Sequence, residues 1–183
     1  MLKYTLIFIL DGPSDTILML QRAKAPNKGL LNGVGGKIEP DETPYQAAMR
    51  EVKEEVGNDV DGLAFVGTVT WEGAAGSDGS DSDGMYVYIG HWPGHLHRCM
   101  AAGRVTPEGG LDWCPEEWVV SPGNPAVVSN IPRFLPYMLA MRDADLPLME
   151  HHCTYDGWDL RSVDMIPLLS EVVREATDTL PRH

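Results

Sequence analysis

The sequence predicts an α+β domain in which strands and a few helices pack as layers. Three observations predict it. Apolar runs of strand length alternate with turn residues; two or three segments have helical spacing; and strands and helices do not alternate regularly, as a parallel βαβ fold would require. The chain has 183 residues with 43% hydrophobic and 22% charged side chains, enough for one domain with a substantial core, residues 1–183.

Leu2 to Leu10 and Thr16 to Gln21 read as two strands around the turn Asp11-Gly12-Pro13-Ser14-Asp15. Ala25 to Gly36, with its glycines and weak periodicity, reads as a loop that lets backbone approach a ligand closely. Pro44 to Val56 is the clearest helix. Thr43 is placed to cap it, Pro44 sits where a missing N–H costs nothing, Gln46 completes a capping box and Gly57 stops it.

Leu63 to Trp71 and Met85 to His91 read as strands joined by the Gly, Ser and Asp-rich stretch Glu72 to Gly84. Asp78, Asp81 and Asp83 there lack the closing glutamate of a calcium loop, so a solvated hairpin loop is expected. Trp92 to Gly110 is irregular, and Val119-Val120 is expected to end a short strand. Ile131 to Arg142 has helical spacing at Phe134, Leu135, Met138 and Leu139. Leu148 to Tyr155 reads as a strand that places one of His151 and His152 inward, and Val163 to Ala176 as an amphipathic helix through Ile166, Leu169 and Val173.

A net charge of −13 repels a phosphate backbone, which excludes polymeric nucleic acid as partner. A small nucleotide stays admissible, because a bound divalent metal supplies positive charge locally. The apolar run Leu6 to Leu10 is too short for a membrane span and ends without a cleavage-like site, so no membrane partner and a cytoplasmic location are expected. Cys99, Cys114 and Cys153 have no paired spacing and read as buried thiols. His91, His95, His97 and Cys99 look superficially like a zinc cluster, but nothing partners them at a recurrent spacing, so they read as loop residues. Trp92, Trp113 and Trp118 read as core, with one of them available to stack on a base. Monomer and homodimer are both open.

The chemistry lies between Gly36 and Gly57, where the sequence reads GKIEPDETPYQAAMREVKEEVG. Glu51, Glu54 and Glu55 stand at i, i+3 and i+4 and share a helix face, where like charges repel unless a cation sits among them. Hard divalent ions take carboxylate oxygens and leave positions for substrate phosphates. Tyr45, Ala48, Val52 and Val56 form the opposite, apolar stripe, so the acids are expected to face outward. Arg50, four residues before Glu54, is placed to fix a carboxylate by a forked hydrogen bond.

This stretch resembles the Nudix box, G-x5-E-x7-R-E-U-x-E-E-x-G-U with U apolar, at Gly36, Glu42, Arg50, Glu51, Val52, Glu54, Glu55 and Gly57. Fixed identities at this many positions coincide by chance on the order of 10⁻⁸ per starting position. Asn58 departs from the final apolar position, which affects packing beyond the helix rather than chemistry.

The resemblance implies a Nudix fold, a mixed sheet between helices in α/β/α layers, and a pyrophosphohydrolase that uses Mg²⁺, or alternatively Mn²⁺. It implies Glu51, Glu54 and Glu55 as metal ligands, a backbone carbonyl of Gly35 or Gly36 closing the site, and Glu42 in support. Asn32-Gly33-Val34-Gly35-Gly36-Lys37, Glu108 five residues before Trp113, and the stretch NIPRFLPYML from Asn130 are similar to segments of the MutT-type and oxidised-purine triphosphatases. By that similarity Asn32 and Asn130 are base-reading candidates, Glu108 a further metal-side carboxylate, and Arg22 and Lys37 phosphate contacts. Asn32 equally suits a turn and Asn130 a helix cap. The implied reaction is hydrolysis of a nucleoside triphosphate, such as an oxidised dGTP, to monophosphate and pyrophosphate. ADP-ribose or a dinucleotide as substrate, and a nucleotide sensor without turnover, are the alternatives.

Overall fold

The computed structural model describes residues 1–75 and 83–180. The strands β1 (Tyr4–Asp11), β2 (Thr16–Arg22), β3 (Leu31–Asn32), β4 (Asp61–Ala74), β5 (Gly84–His91), β6 (Val105–Thr106), β7 (Gly109–Pro115), β8 (Met149–Gly157) and β9 (Asp159–Pro167) form one sheet. Its order is β6-β7-β2-β1-β5-β4-β8-β9, with β3 on β2. The β1–β5 and β4–β8 pairs are parallel and the other pairs antiparallel, so the sheet is mixed as expected.

Period-two alternation in β1 divides the core. Leu6, Phe8 and Leu10 face one side, where helix α3 (Ile131–Ala140) contributes Ile131, Phe134, Leu135 and Met138. Ile7 and Ile9 face the other, where α1 (Pro44–Val56) brings Ala47, Ala48, Val52 and Val56, and α4 (Ser170–Thr177) brings Ala176. This is the α/β/α layering. The α1 boundaries, the Thr43–Gln46 capping box and the left-handed Gly57 at φ 81° are as the sequence predicts.

Several expectations are corrected. Val119-Val120 belongs to no strand: Glu116–Val119 is a short helix, α2, opened by Pro115 with Glu116 and Glu117 in its first turn, where acids favour the helix dipole. Val163 to Ala176 is not one helix. Residues through Pro167 pair with β8 in a hairpin that turns at Gly157, φ 66°, and only Ser170–Thr177 is helical. Ile166 and Leu169 are accordingly exposed rather than forming a docking stripe. Glu72 lies within β4 rather than in a loop, and Asp83, expected to be solvated, is buried and ion-paired with Lys3 Nζ at 2.8 Å. Asp78 and Asp81 lie outside the described residues.

Of the three cysteines, all free, Cys153 is buried, Cys114 half-buried and Cys99 exposed beside His97. His151 is buried and His152 half-exposed, the one-in, one-out placement expected of a strand. Trp92 is buried and packs edge-on against Trp113, whereas Trp118 is exposed. Among the described residues no helix is long and apolar enough to cross a membrane.

Candidate active site

The cleft is built where the 33–37 turn meets α1. The backbone of this turn lies against β1: Val34 and Ile7 exchange two hydrogen bonds, and the Thr5 N–H donates to the Gly36 carbonyl at 2.9 Å. Two positions demand glycine. Gly35 has φ 148°, and a Cβ there would lie 2.2 Å from the Thr5 carbonyl oxygen. A Cβ on Gly36 would lie 2.3 Å from Glu51 Oε1, so the missing side chain is what lets that carboxylate reach the turn.

Glu51 and Glu55 do not face outward. They are 9% and 3% exposed, because they flank the buried stripe of Ala47, Ala48, Val52 and Val56 and are covered by the 35–36 turn. Glu54, one turn from Glu51 on the outer side, keeps 59% of its side chain exposed. A cleft of about 440 Å³ is lined by Gly35, Gly36, Glu51, Glu54, Glu55 and Glu108, with Lys37, Thr106 and Pro107 at its rim.

Arg50 bridges the acids. Its Nε and Nη2 fork onto the two oxygens of Glu42 at 3.1 and 2.6 Å, Nη1 reaches Glu51 Oε1 at 2.8 Å and Glu54 Oε2 at 3.4 Å, and Nη2 also donates to the Lys37 carbonyl. The cation expected among the glutamates is therefore supplied in part by the chain itself. Among the described residues no group of three acidic, His or Cys side chains is arranged to hold a metal ion.

The same arginine acts unequally on its partners. Burial alone would raise the Glu42 pKa, but the hydrogen bonds from Arg50 and the Glu39 N–H outweigh it and hold Glu42 below its usual value. At Glu51 burial wins over Arg50, and the pKa is raised. Glu55 is raised to about 7, mainly by burial, against a lowering hydrogen bond from the Gly35 N–H at 3.1 Å and with the charges of Glu51 and Glu108 adding to the rise. Glu55 Oε1 is buried without a hydrogen-bond partner. A buried carboxylate oxygen left so costs free energy unless a cation or proton meets it.

The other sequence candidates divide. Glu108 lines the cleft and is held by Lys24 Nζ at 2.6 Å, on a turn that the Thr106 hydroxyl fixes by accepting from the Glu108 and Gly109 N–H groups. Arg22 is near enough to lower the Glu55 pKa, while its Nε donates to the Pro26 carbonyl. Lys37 lines the cleft through an exposed side chain. Asn32 and Asn130 are not among the described residues lining the glutamate cleft, and their segments adjoin, since Leu31 pairs in parallel with Val127 and the Val128 N–H donates to the Leu31 carbonyl. Asn130 occupies the N-cap position of α3 without capping it; its buried amide instead donates to Cys153 Sγ at 3.8 Å. His91, His95, His97 and Cys99 form no metal cluster among the described residues.

Sequence reasoning missed Lys24 and Arg104. The Arg104 guanidinium covers the outer side of Gly57, where a Cβ would lie 2.4 Å from its Nη1, and it approaches the Glu54 carbonyl at 3.5 Å. Both are single cations on irregular segments, with no spacing that marks them.

The NUDIX domain model matches residues 2–136, most of the chain and the whole of the cleft just described. The chain belongs to the NUDIX family. This Nudix chain is 32% identical over 131 residues to the CTP pyrophosphohydrolase of Escherichia coli, covering 70% of itself and 88% of that protein. It is 36% identical over 69 residues to the oxidized purine nucleoside triphosphate hydrolase of Mus musculus, covering 38% of itself and 43% of that protein. In fold it is similar to the mutator MutT protein of Bacillus halodurans, with a TM-score of 0.63 and 20% identity over 90% of this chain and 97% of that one. It is also similar to the NUDIX domain of Shewanella oneidensis NrtR in complex with ADP ribose, with a TM-score of 0.55 and 18% identity over 78% and 88%. The chain is a Nudix pyrophosphohydrolase, and its substrates are nucleotide-linked.

Proposed function

We propose that this Nudix hydrolase cleaves a nucleoside triphosphate to the monophosphate and pyrophosphate with Mg²⁺, or Mn²⁺ in its place, and that its substrate is a modified purine deoxynucleotide such as an oxidised dGTP. The observation that carries the reaction is Glu55, a buried carboxylate with one oxygen on the Gly35 N–H and the other without a partner, at the wall of an acid-lined cleft.

The donor set fits a hard divalent ion: oxygens only, one of them orphaned, beside a turn with no side chain in the way. Glu51, Glu54 and Glu55 would hold it, with Glu108 on the opposite wall. Of the two candidate carbonyls Gly35 is the better donor, since that of Gly36 already accepts the Thr5 N–H. When bound, such an ion neutralises phosphoanhydride oxygens and makes a water more acidic. The chain supplies the rest. Arg50 fixes the rotamers of Glu51 and Glu42, one glutamate accepts the proton of the attacking water, and the cations offered to phosphate oxygens are Lys37, which lines the cleft, and Arg22, whose charge acts on Glu55. Asn32 and Asn130 carry amide donors and acceptors able to read a base edge.

A cytidine triphosphate is the second reading, because the bacterial relative named for it matches 70% of the chain whereas the mouse relative named for oxidized purine nucleoside triphosphates matches 38%. The test is Mg²⁺-dependent pyrophosphate release, with kcat/KM compared over 8-oxo-dGTP, dGTP, CTP and ADP-ribose, by wild type, Glu54→Gln, Glu55→Gln and Asn130→Ala. An oxidised-purine preference of about 10⁴ that collapses in Asn130→Ala is expected of a site that hydrogen-bonds the base. Preferred turnover of CTP replaces the purine reading. Absence of turnover across the panel removes the enzymatic proposal and leaves a nucleotide sensor.

A further inference from the structure

Among the described residues lining the glutamate cleft, Glu108 is the one acid that α1 does not supply; it stands in the turn between β6 and β7. The backbone of that turn is fixed from two sides. The Thr106 hydroxyl accepts from the Glu108 and Gly109 N–H groups at 3.2 and 3.3 Å, and the Ala23 N–H, just past the end of β2, donates to the Glu108 carbonyl at 2.8 Å. Gly109, at φ 154°, lets β7 approach β2 this closely, since a Cβ there would collide with the Gln21 carbonyl oxygen. The end of β2 is thereby held against Glu108, and the next residue after Ala23 is Lys24.

The carboxylate itself is held by one contact. Lys24 Nζ lies 2.6 Å from Glu108 Oε1, and Oε2 has no hydrogen-bond or ion-pair partner among the described residues. The charge of Glu108 is felt at Glu55, where it adds to the rise of that carboxyl, so the loop acid and the α1 acids act on one another across the cleft. The side chains of the pair are 57% and 44% exposed. An ion pair so open to water contributes only about 0–1 kcal/mol to stability, so what Lys24 can supply is the placement of Glu108 rather than the fold.

We propose that Lys24 is a positioning residue of this hydrolase, on the reading that Glu108 serves the metal: it fixes Glu108 through Oε1 and leaves Oε2 as the donor to a divalent ion in the cleft. A carboxylate has lone pairs on both oxygens and accepts an ammonium and a metal ion together. Two effects of removing Lys24 then carry opposite signs. Loss of a partner that fixes a ligating group weakens metal binding, by about 10–100-fold where such groups have been removed. Loss of a cation near the site strengthens metal binding, because like charges repel, and salt screens this second effect. A lysine that contributes charge alone is therefore told from one that positions Glu108 by the direction of the change.

The experiment is Mn²⁺ binding to the full chain without nucleotide, followed by calorimetry and by the electron spin resonance signal of free Mn²⁺. Glu108→Gln and Lys24→Met are each expected to raise the Mn²⁺ Kd about tenfold, and Lys24→Arg, which keeps a charged donor, to stay within about threefold of wild type. The double variant Lys24→Met/Glu108→Gln is expected to bind no more weakly than Glu108→Gln, because Lys24 acts through Glu108. Lys28→Met, which removes an exposed cation of the same loop, is expected not to raise the Kd. In turnover at saturating Mn²⁺ the nucleotide KM of Lys24→Met should match wild type. If Lys24→Met fails to fold, Lys24→Gln takes its place. With Glu108→Gln weakened, unchanged or tighter Mn²⁺ binding by Lys24→Met overturns the proposal, as do additive losses in the double variant. A raised nucleotide KM with unchanged Mn²⁺ Kd makes Lys24 a phosphate contact instead. Unchanged Mn²⁺ binding by Glu108→Gln is a different failure: it removes Glu108 from the metal site, and the role of Lys24 goes with it.

Discussion

The glutamate cleft and a second cavity, of about 330 Å³ between the sheet and α4, lie on the same face of one sheet, and both are lined by acids, yet they handle negative charge in opposite ways. In the cleft a guanidinium sits among the carboxylates and bonds three of them, Glu42, Glu51 and Glu54. In the cavity the acids are oriented by hydroxyls, Thr70 on Glu150 and Tyr86 on Glu175. A guanidinium neutralises and fixes geometry at once, which suits a site where several acids must stay ionised at close quarters. A hydroxyl fixes geometry without supplying a charge of its own.

The largest break in this comparison comes from Glu55, the α1 acid of the cleft that Arg50 does not touch. Glu55→Gln is expected to lower kcat by about 10³ or more, because it removes a carboxylate from the proposed metal site. The same change is expected to stabilise the metal-free protein. The folded pKa, about 7, lies above the ordinary 4.5, so between these values the folded state holds a proton that the unfolded state has released. Stability therefore falls as pH rises through that window, and the cost is fully present above about pH 7. Urea unfolding in EDTA at pH 8 should show Glu55→Gln more stable by about 2–3 kcal/mol, with the gap closing at pH 4. A variant less stable than wild type at pH 8 contradicts this account of the burial.

Arg50→Lys tests the other half. A lysine keeps the charge but cannot fork onto Glu42 while reaching Glu51, so kcat/KM should fall about 10–100-fold with the metal requirement retained, the scale typical of groups that orient metal ligands. If lysine sustains full activity, neutralisation alone suffices and the forked geometry is idle.

What could be foreseen in this molecule follows the range of the forces involved. Thr43, Gln46 and Gly57 fix α1 by contacts three or four residues long, and the box glutamates are spaced by the same helix, so both are written in one short stretch. Which way the glutamates face was not written there. It depends on the 35–36 turn, held by β1, covering Glu51 and Glu55. The β9 strand was misread for a related reason. Ile166 in β9, Leu169 just before α4 and Val173 within it stand three and four residues apart, so a helical spacing runs across a strand end and a separate helix. Likewise Asn130 has the sequence of a cap, and its amide meets Cys153 only because β8 passes behind α3. The α4 cavity assembles Thr68, Glu150 and Glu175 from three distant segments and leaves no local trace.

A buried group with no charged partner calibrates both sites. His151 is 1% exposed, packs against Phe134 and Tyr137, and neither ring nitrogen has a partner, so burial lowers its pKa to about 4. Below the ordinary 6.5 the unfolded state gains a proton that the folded state refuses, and stability falls from about pH 6.5 down to about 4. His151→Leu should remove up to about 2 kcal/mol of that acid loss, read as a flatter dependence of the urea midpoint on pH, with little change at pH 8. An unchanged slope assigns the acid sensitivity to the carboxylates alone.

The smallest expected effect is at Thr68. Valine has nearly the shape of threonine and no hydroxyl to leave unmet, so Thr68→Val removes a buried polar group without opening a void. The ligand-free variant should therefore be more stable than wild type by about 1 kcal/mol, read from urea unfolding, with kcat on the nucleotide unchanged because the cavity shares no residue with the cleft. A hydroxyl kept for structure would give the opposite sign, since its loss would then break a contact that stabilises the fold. Stabilisation by valine identifies the Thr68 hydroxyl as a buried polar group that the fold leaves unmet. Glu55→Gln has the same sign in the metal-free chain, since both changes act on a buried polar atom without a partner, and it differs in lowering turnover.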